Sequence, residues 1–387
     1  MNILMVSSME IAELPPAISL IKAISEDGHF LHLVCELGDA GVSDELGSVE
    51  LTKLDAGSTL RAENDRALLG RIKRFVYWNL IFKLVKPGCL RAEVKRQWSS
   101  GNYDILWVLH ESTAKRLGKL AVEIPHVLSA YELDRDFICE GSTRLKEVAK
   151  TSLKVIVPEA VRSKIMRTYC GLNSDPAVLP NKPNYGDIES RLPVEIESRL
   201  CELKSGNRKV IIYSGIFIPE RKLDTVIEAV ARRSGEYSLV FMGKGSAYLD
   251  SLTAKYPGGF EYLGFVEPPA HLLALRFADV GVLSYVPTEP SLNALFCAPN
   301  KIWEYAYYGL PMLANDVPGL TMTVEKNMIG VCASMDSVEE VVSALDLISE
   351  KYDLLAQNSK KFYCSVDYRE EYKKVMKQIC EVVVHGE

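Results

Sequence analysis

The sequence predicts an α/β fold of two doubly wound domains, each with a parallel sheet, facing each other across a cleft. Short apolar runs alternate with helical patterns, the alternation restarts past the middle of the chain, and 387 residues are enough for two hydrophobic cores. Strands that are apolar throughout and are each followed by a helix indicate a parallel sheet covered on both faces. Both domains are therefore expected to be Rossmann-like.

The first half has five candidate strands separated by helical patterns. The strands are predicted at Asn2–Ser7, Phe30–Cys35, Asp104–Leu109, His126–Ala130 and Lys154–Val157. The helices are predicted at Pro16–Asp27, Arg61–Leu84, Ser112–Ala121 and Pro158–Tyr169. Ligands of such sheets bind beyond the carboxyl ends of the strands, so the loops after the strands are the expected places for a site.

The second half repeats the alternation. Its strands are predicted at Lys209–Tyr213, Ser238–Met242, Asp279–Ser284, Pro311–Ala314 and Ile329–Cys332. Its helices are predicted at Arg221–Arg233, Ser246–Lys255, Ala270–Phe277, Asn300–Tyr308 and Ser337–Ser349, with a last helix at Asp367–Val384. Turn-forming residues at 181–186 separate the halves. The sequence thus predicts domains over residues 1–184 and 185–365, and a terminal helix within 366–387 that packs back on the first domain.

Charge and cysteine content exclude several classes of protein. The net charge of −6 gives no case for binding nucleic acid. The nine cysteines are odd in number and contain no C-x-x-C pair, which argues against a disulfide framework or a zinc site and favours a reducing compartment. The start of the chain lacks the pattern of a signal peptide, and no apolar run is long enough to span a membrane. We expect a cytoplasmic protein, soluble or peripheral at the inner face of the membrane.

Two loops of the second half have the residues of an anion site. The first follows a predicted strand at Gly215 and leads into a helix expected to start near Pro219, with Arg221 and Lys222 in its first turn. Cations there oppose the helix dipole, and a bound anion would offset that cost. The second loop contains Gly243 and Gly245, which would let the backbone approach a ligand. The alternatives are two solvated surface cations and an ordinary strand–helix turn.

The segment Pro299–Pro311 is the most informative one. Pro299 opens a helix, and Gly309, Leu310 and Pro311 close it into the next strand. Lys301 and Glu304 are three residues apart and so share one helix face. A cation at a helix N-terminus suits a phosphate, and a carboxylate beside it suits sugar hydroxyls. The alternative is an exposed Lys–Glu pair without a ligand.

The sequence resembles the GT-B-fold glycosyltransferases of the large retaining family often called family 4. The segment Pro299–Tyr305, with Gly309–Pro311, is similar to the "PNK-hydrophobic-x-EY…GLP" variant of polysaccharide-assembling members. Ala278–Ser284, Ser25–Phe30 and Val178–Asn181 are similar to the family's "AD-x-G" strand, its first helix-to-strand turn and its "V-L-P-N" interdomain segment. The resemblance covers nearly the whole chain.

Site residues follow from the resemblance by position. It implies that Arg221 contacts the donor diphosphate, that Glu304 binds the ribose hydroxyls, and that the backbone at Asn300 and Lys301 approaches the diphosphate. Donor binding is thus expected at Gly215, Arg221, Gly243, Asn300, Lys301 and Glu304. Arg221 and Lys301 are the expected catalytic cations, and Glu132 and His110 are candidates for orienting sugar or acceptor. Either of the last two could instead be a structural residue.

Several positions depart from the family pattern. Phe296 stands in place of the first glutamate of the two-glutamate motif, and Ile216 in place of an arginine. Tyr131 replaces the histidine of the first domain, and His110 lies one residue beyond a second expected histidine. Met9–Ile11 stand where a glycine pair usually follows the first strand.

The resemblance implies a hexosyltransferase-like enzyme that moves a sugar from a UDP- or GDP-sugar to a glycan or lipid-linked acceptor in cell-surface polysaccharide biosynthesis, with retention of configuration. We expect no metal or other cofactor. Two alternatives remain at this stage. One is a non-catalytic subunit that partners an active transferase, which the departures above favour. The other is a sugar-nucleotide epimerase, which would need carboxylates along the cleft.

Residues 61–96 carry ten basic side chains and only three acidic ones. On a helix, Leu68, Ile72 and Phe75 would share an apolar stripe opposite Arg66 and Lys73. The pattern is typical of an interfacial helix that binds anionic lipid. The alternative is an amphipathic helix packed on its own sheet with a solvated basic face.

Overall fold

The computed structural model describes residues 1–11, 14–35, 49–54, 82–134, 143–183, 190–287, 289 and 291–385, of which 82–89, 384 and 385 are described by their backbone alone. The chain forms two compact units. The first comprises Met1–Pro180 together with Tyr368–Glu387, and the second comprises Asn181–Asp367. The expected boundary between residues 184 and 185 lies outside the described residues.

The first unit is built on a seven-stranded parallel sheet with the order β3-β2-β1-β4-β5-β6-β7. The strands are β1 Asn2–Ser7, β2 Phe30–Cys35, β3 Glu50–Lys53, β4 Ile105–Leu109, β5 His126–Ser129, β6 Lys154–Val157 and β7 Ala177–Val178. β1 is almost entirely buried and pairs with both β2 and β4, so the order of the strands reverses beside it. Such a reversal is the place where doubly wound sheets bind ligands.

Helices cover the sheet of the first unit. They are Pro15–Glu26, Phe82–Ser100, Glu111–Leu117, Lys119–Val122, Thr143–Thr151, Ala160–Cys170 and the terminal helix Tyr368–His385. The terminal helix places Tyr372 and Ile379 in the same core cluster as Ile3 and Trp107. Its Arg369 also donates a 3.1 Å hydrogen bond to the carbonyl of Ala23. The last helix of the chain is therefore part of the first unit.

The second unit has a six-stranded parallel sheet with the order β10-β9-β8-β11-β12-β13. The strands are β8 Lys209–Ser214, β9 Tyr237–Met242, β10 Glu261–Tyr262, β11 Val280–Leu283, β12 Met312–Asn315 and β13 Gly330–Ala333. The α-helices are Val194–Ser205, Leu223–Ala231, Ala247–Lys255, His271–Ala274, Leu292–Leu295, Asn300–Tyr308, Pro318–Leu320, Val338–Glu350 and Tyr352–Cys364. Short 3-10 helices lie at Pro219–Arg221 and Leu275–Phe277, and a π-helical turn lies at Thr321–Glu325. Both units are thus Rossmann-like, as predicted.

Some predicted elements differ from those observed. The helix expected over Ser112–Ala121 is broken at Gly118, whose φ of 52° does not fit a helix. Most of the helix expected over Arg61–Leu84, and most of the basic segment 61–96, lies outside the described residues. Of the basic side chains that are described there, Arg96 pairs with Glu93 and Arg91 donates to the carbonyl of Leu117. Among the helices that can be examined, none is long and apolar enough to cross a membrane.

Candidate donor site

The order of strands in the second sheet reverses between β8 and β11, and three residues follow strands near that point. Gly215 comes directly after β8, Gly243 after β9 and Ser284 after β11. The Ser284 hydroxyl is buried and has no hydrogen-bond partner in the described part of the chain. Because ligands of doubly wound sheets bind at this edge, these loops mark the candidate site.

The two glycine loops touch each other through their backbones. A β-carbon on Gly243 would lie only 1.9 Å from the carbonyl oxygen of Gly215, so the position admits only glycine. A β-carbon on Gly215 would lie 3.1 Å from Cε of Lys301. The loops after β8 and β9 and the start of the helix Asn300–Tyr308 therefore converge.

The helix Asn300–Tyr308 begins after the extended residue Pro299, and no side chain caps its start. Its first backbone N–H groups, those of Asn300 and Lys301 among them, have no partner within the helix. The helix ends at Gly309, which adopts the left-handed conformation with φ of 71°. Its N-terminus therefore offers, beside Gly215, N–H donors that make no hydrogen bond within the helix.

Lys301 and Glu304 lie on one face of this helix, as their spacing predicts. Nζ of Lys301 is 3.3 Å from Oε2 of Glu304. The Glu304 residue is only 5% exposed. Burial alone would raise the pKa of Glu304, but the charge of Lys301 and the contact with His271 outweigh it and lower that pKa to about 2. Glu304 is thus a buried carboxylate that stays charged and can accept hydrogen bonds.

His271 is a member of this cluster that the sequence did not reveal. It is the first residue of the helix His271–Ala274, and its Nε2 lies 3.8 Å from Oε2 of Glu304. A single histidine between two apolar segments gives no pattern that points to a carboxylate 33 positions further along the chain.

Arg221 occupies a different local structure from the one predicted. Residues Pro219–Arg221 form a 3-10 turn, and the α-helix starts only at Leu223, so Arg221 and Lys222 do not lie in its first turn. Lys222 is left-handed, with φ of 44°, and its Nζ lies 3.1 Å from a carboxylate oxygen of Asp336. The expectation that both cations lie in the first turn of that helix is therefore wrong: Arg221 belongs to the 3-10 turn, and Lys222 is the N-cap residue of the helix.

The guanidinium of Arg221 lies instead on an aromatic ring. Its Cζ is 4.1 Å from the ring centre of Tyr285, which follows β11. Tyr285 is held by Asn315, whose side-chain oxygen accepts from the Tyr285 N–H at 2.7 Å. Stacking of this kind fixes a guanidinium while leaving its N–H groups free to bind an anion. Arg221 thus lies on a partly buried platform beside the ends of β8 and β11.

A second polar cluster lies in the first unit, at the end of β4. His110 caps the helix Glu111–Leu117: its Nδ1 accepts from the Ser112 N–H at 3.1 Å, and its backbone has φ of 74°. Because Nδ1 accepts this hydrogen bond, the proton of the neutral ring is on Nε2. Burial lowers the pKa of His110, which favours this neutral form. His110 can therefore donate through Nε2, whose neighbour at 4.0 Å is Oε2 of Glu132.

Glu111 joins this cluster and was not predicted. It is 2% exposed, its Oε1 accepts from the Glu132 N–H at 2.9 Å, and its Oε2 is buried without a hydrogen-bond partner among the described residues. Burial raises the pKa of Glu111 to about 8. The predicted residue Glu132, by contrast, has a side chain that is 60% exposed. Glu111 therefore supports the backbone that carries Glu132.

The departures from the family pattern have simple local consequences. Ile216, at the position of an expected arginine, is 57% exposed. Tyr131 accepts a 2.7 Å hydrogen bond at its carbonyl from the buried side chain of Arg162.

The described residues contain no group of three or more His, Cys, Asp or Glu side chains that could hold a metal ion.

Comparisons with known proteins find a family model for part of the second unit and solved structures with the same fold. Residues 208–350 match the family model described as "Glycosyl transferases group 1". The HepE protein of Anabaena, solved with UDP, is 15% identical and has a TM-score of 0.71, with 98% of this chain and 100% of that chain covered. A glycosyltransferase from Rickettsia africae is 13% identical with a TM-score of 0.69, and 100% and 99% of the two chains are covered. A search of curated proteins gives no match.

A sucrose-phosphate synthase from Thermosynechococcus elongatus has the same fold, with 14% identity, a TM-score of 0.62, and coverage of 98% of this chain and 97% of that chain. At these identities the likeness establishes the fold. The match to the family model covers the segment that contains Gly215, Arg221, Gly243, Lys301 and Glu304. The chain therefore has the GT-B fold, and its segment 208–350 is similar to the glycosyl transferases group 1.

Proposed function

We propose that the chain transfers a sugar from a UDP-sugar to a glycan or lipid-linked acceptor, with retention of configuration, in the biosynthesis of a cell-surface polysaccharide. The observation that carries the proposal is the convergence of two glycine loops, Arg221 and the Lys301–Glu304 pair at one edge of the second sheet. UDP is favoured over GDP because the Anabaena protein was solved with UDP, with UDP and glucose, and with UDP-glucose.

Each part of the proposed donor has a matching group. The diphosphate lies at the free N–H groups of Asn300 and Lys301 and at Arg221, and the backbone of Gly215 and Gly243 leaves room for its approach. The charged carboxylate of Glu304 accepts hydrogen bonds from the ribose hydroxyls. These cations and amides are part of the chain itself, so the proposal requires no metal.

In the reaction, the bond between the anomeric carbon and the diphosphate oxygen breaks and the acceptor oxygen bonds to that carbon. Negative charge grows on the leaving diphosphate, where Arg221 and the helix N-terminus stabilise it. The acceptor proton passes to the leaving phosphate. His110, as a neutral donor through Nε2, and the exposed carboxylate of Glu132 are proposed to orient sugar or acceptor hydroxyls.

Thermal unfolding with nucleotides tests the donor site. UDP at one hundred times its Kd should stabilise the protein by about 2.7 kcal/mol, which raises Tm by roughly 5–10 °C for a unit of this size. GDP, ADP and CMP should have smaller effects. UMP, which lacks the second phosphate, serves as the matched control and should also stabilise less than UDP. If a well-folded sample responds to none of them, the proposed donor site is wrong and a non-catalytic role gains support.

We further propose that residues 61–96 contact anionic lipid from the cytoplasmic side. The support is the excess of basic over acidic side chains in this segment. Each Lys or Arg near an anionic surface contributes about 1 kcal/mol of binding free energy. Replacing Arg71, Lys73 and Arg74 together by glutamine should weaken binding to vesicles rich in anionic lipid roughly 100-fold at low salt. Binding is measured by co-sedimentation, with neutral vesicles as a reference.

The matched control for this experiment replaces Lys373, Lys374 and Lys377, three exposed lysines of the terminal helix, by glutamine. That variant removes the same charge elsewhere and should bind as the wild type does. Equal loss of binding in both variants would show that only net charge matters, and no binding by the wild type would exclude the membrane contact.

A further inference from the structure

Glu304 is held from two sides, and both contacts fall on the same oxygen. Lys301 approaches Oε2 at 3.3 Å and His271 approaches it at 3.8 Å. Lys301 is on the same helix as Glu304, whereas His271 starts a different helix that follows the loop after β10. The described contacts of the carboxylate are thus concentrated on Oε2, which leaves Oε1 to face a ligand.

The burial of His271 in this position is energetically unfavourable for one of its ring nitrogens. Its Nδ1 is buried and has no hydrogen-bond partner among the residues the structure describes. A buried polar atom without a partner is unfavourable, and such atoms in native structures call for an explanation. The contact of Nε2 with the Glu304 carboxylate is the interaction of this ring that can offset the cost.

We propose that His271 is a positioning residue for the donor: it fixes the Glu304 carboxylate so that Oε1 meets the ribose hydroxyls. This inference rests on the proposed function, in which Glu304 binds the ribose. Lys301 alone would not suffice, because its side chain is also expected to act as a catalytic cation. With His271 in place, Lys301 can turn toward the phosphates while Glu304 keeps a partner.

The test compares the affinities for UDP and for 2′-deoxy-UDP, measured by calorimetry, in the wild type and three variants. A hydroxyl bound by a charged carboxylate should make the wild type prefer UDP roughly 10- to 100-fold. His271→Leu keeps a similar bulk without the donor and should reduce this preference to a few-fold, with the affinity for 2′-deoxy-UDP nearly unchanged. His271→Gln can place an N–H near the position of Nε2 and should restore much of the preference.

Glu304→Gln is the reference variant. It separates the positioning role of His271 from the role of Glu304 in binding the ribose. It should lose the preference for UDP, and combining it with His271→Leu should cause little further loss, because coupled residues are not additive. If Glu304→Gln loses the preference but His271→Leu keeps it, or if His271→Leu weakens both nucleotides equally, His271 is merely structural. If the wild type binds UDP without preference or fails to bind it, the proposed role of Glu304 or of UDP is itself wrong.

Discussion

Replacing Arg221 by methionine is expected to reduce kcat for sugar transfer about 100- to 1,000-fold, the cost of removing one preorganised donor from a site of developing charge. The guanidinium lies 4.1 Å from the ring centre of Tyr285, so its position is fixed before the donor binds. Methionine can still cover that ring, and the fold should be retained. Because charge on the diphosphate grows as its bond to the anomeric carbon breaks, the loss should fall on kcat more than on KM.

Arg232→Met is the matched control for this variant. Arg232 is in the same unit, but its guanidinium pairs with the exposed Glu339 at 2.8 Å, and exposed pairs of this kind contribute little. Steady-state rates with a UDP-sugar should therefore remain close to the wild type for Arg232→Met. A kcat within about threefold of the wild type for Arg221→Met would contradict the proposed phosphate role.

The sequence predicted the central strands of both sheets because these strands are buried and apolar along their whole length. It missed the outer strands Glu50–Lys53, Ala177–Val178 and Glu261–Tyr262. Those strands are short, and two of them carry charged residues, as sheet edges commonly do. The helix Tyr352–Cys364 was also missed, since it buries little more than Leu355 and Ser359 and so has only a weak apolar stripe.

The candidate site was predictable where its residues are near one another in sequence. Lys301 and Glu304 share a helix face by spacing alone, and the glycines stand directly after strands. His271, Tyr285 and Glu111 were not predictable, because each acts through a contact with a residue from another segment. The conformation around Arg221 was predicted wrongly because Pro219 suits the start of a 3-10 turn as well as that of an α-helix.

The stability of the first unit is expected to fall as the pH rises from about 4.5 to 8, because of Glu111. Burial raises the pKa of Glu111 from its usual 4.5 to about 8 in the folded protein. Between these values the unfolded chain loses the proton and the folded chain keeps it. The free energy of unfolding therefore falls by about 1.4 kcal/mol for each pH unit, and by roughly 5 kcal/mol over the whole interval. Below 4.5 the group is protonated in both states and has no effect.

Glu111→Gln should remove this dependence, since the amide is always neutral and its oxygen can still accept from the Glu132 N–H. Measured by urea unfolding, the variant should gain stability over the wild type steadily from pH 5 to pH 8. Glu147→Gln, an exposed position on the helix Thr143–Thr151 of the same unit, is the control and should follow the wild type.

Parallel pH profiles for the wild type and Glu111→Gln would mean that Glu111 is ionised in the folded state, which would require a cation beside it. Besides Arg162, whose charge already acts on Glu111, the candidate is His110, whose Nδ1 lies 3.4 Å from Oε2 of Glu111. A proton on that nitrogen would break the hydrogen bond that it accepts from the Ser112 N–H and so uncap the helix. The cap of this helix and the protonation of Glu111 are thus linked: with His110 neutral, burial outweighs the charge of Arg162, and this is why we expect the carboxyl to stay protonated at neutral pH.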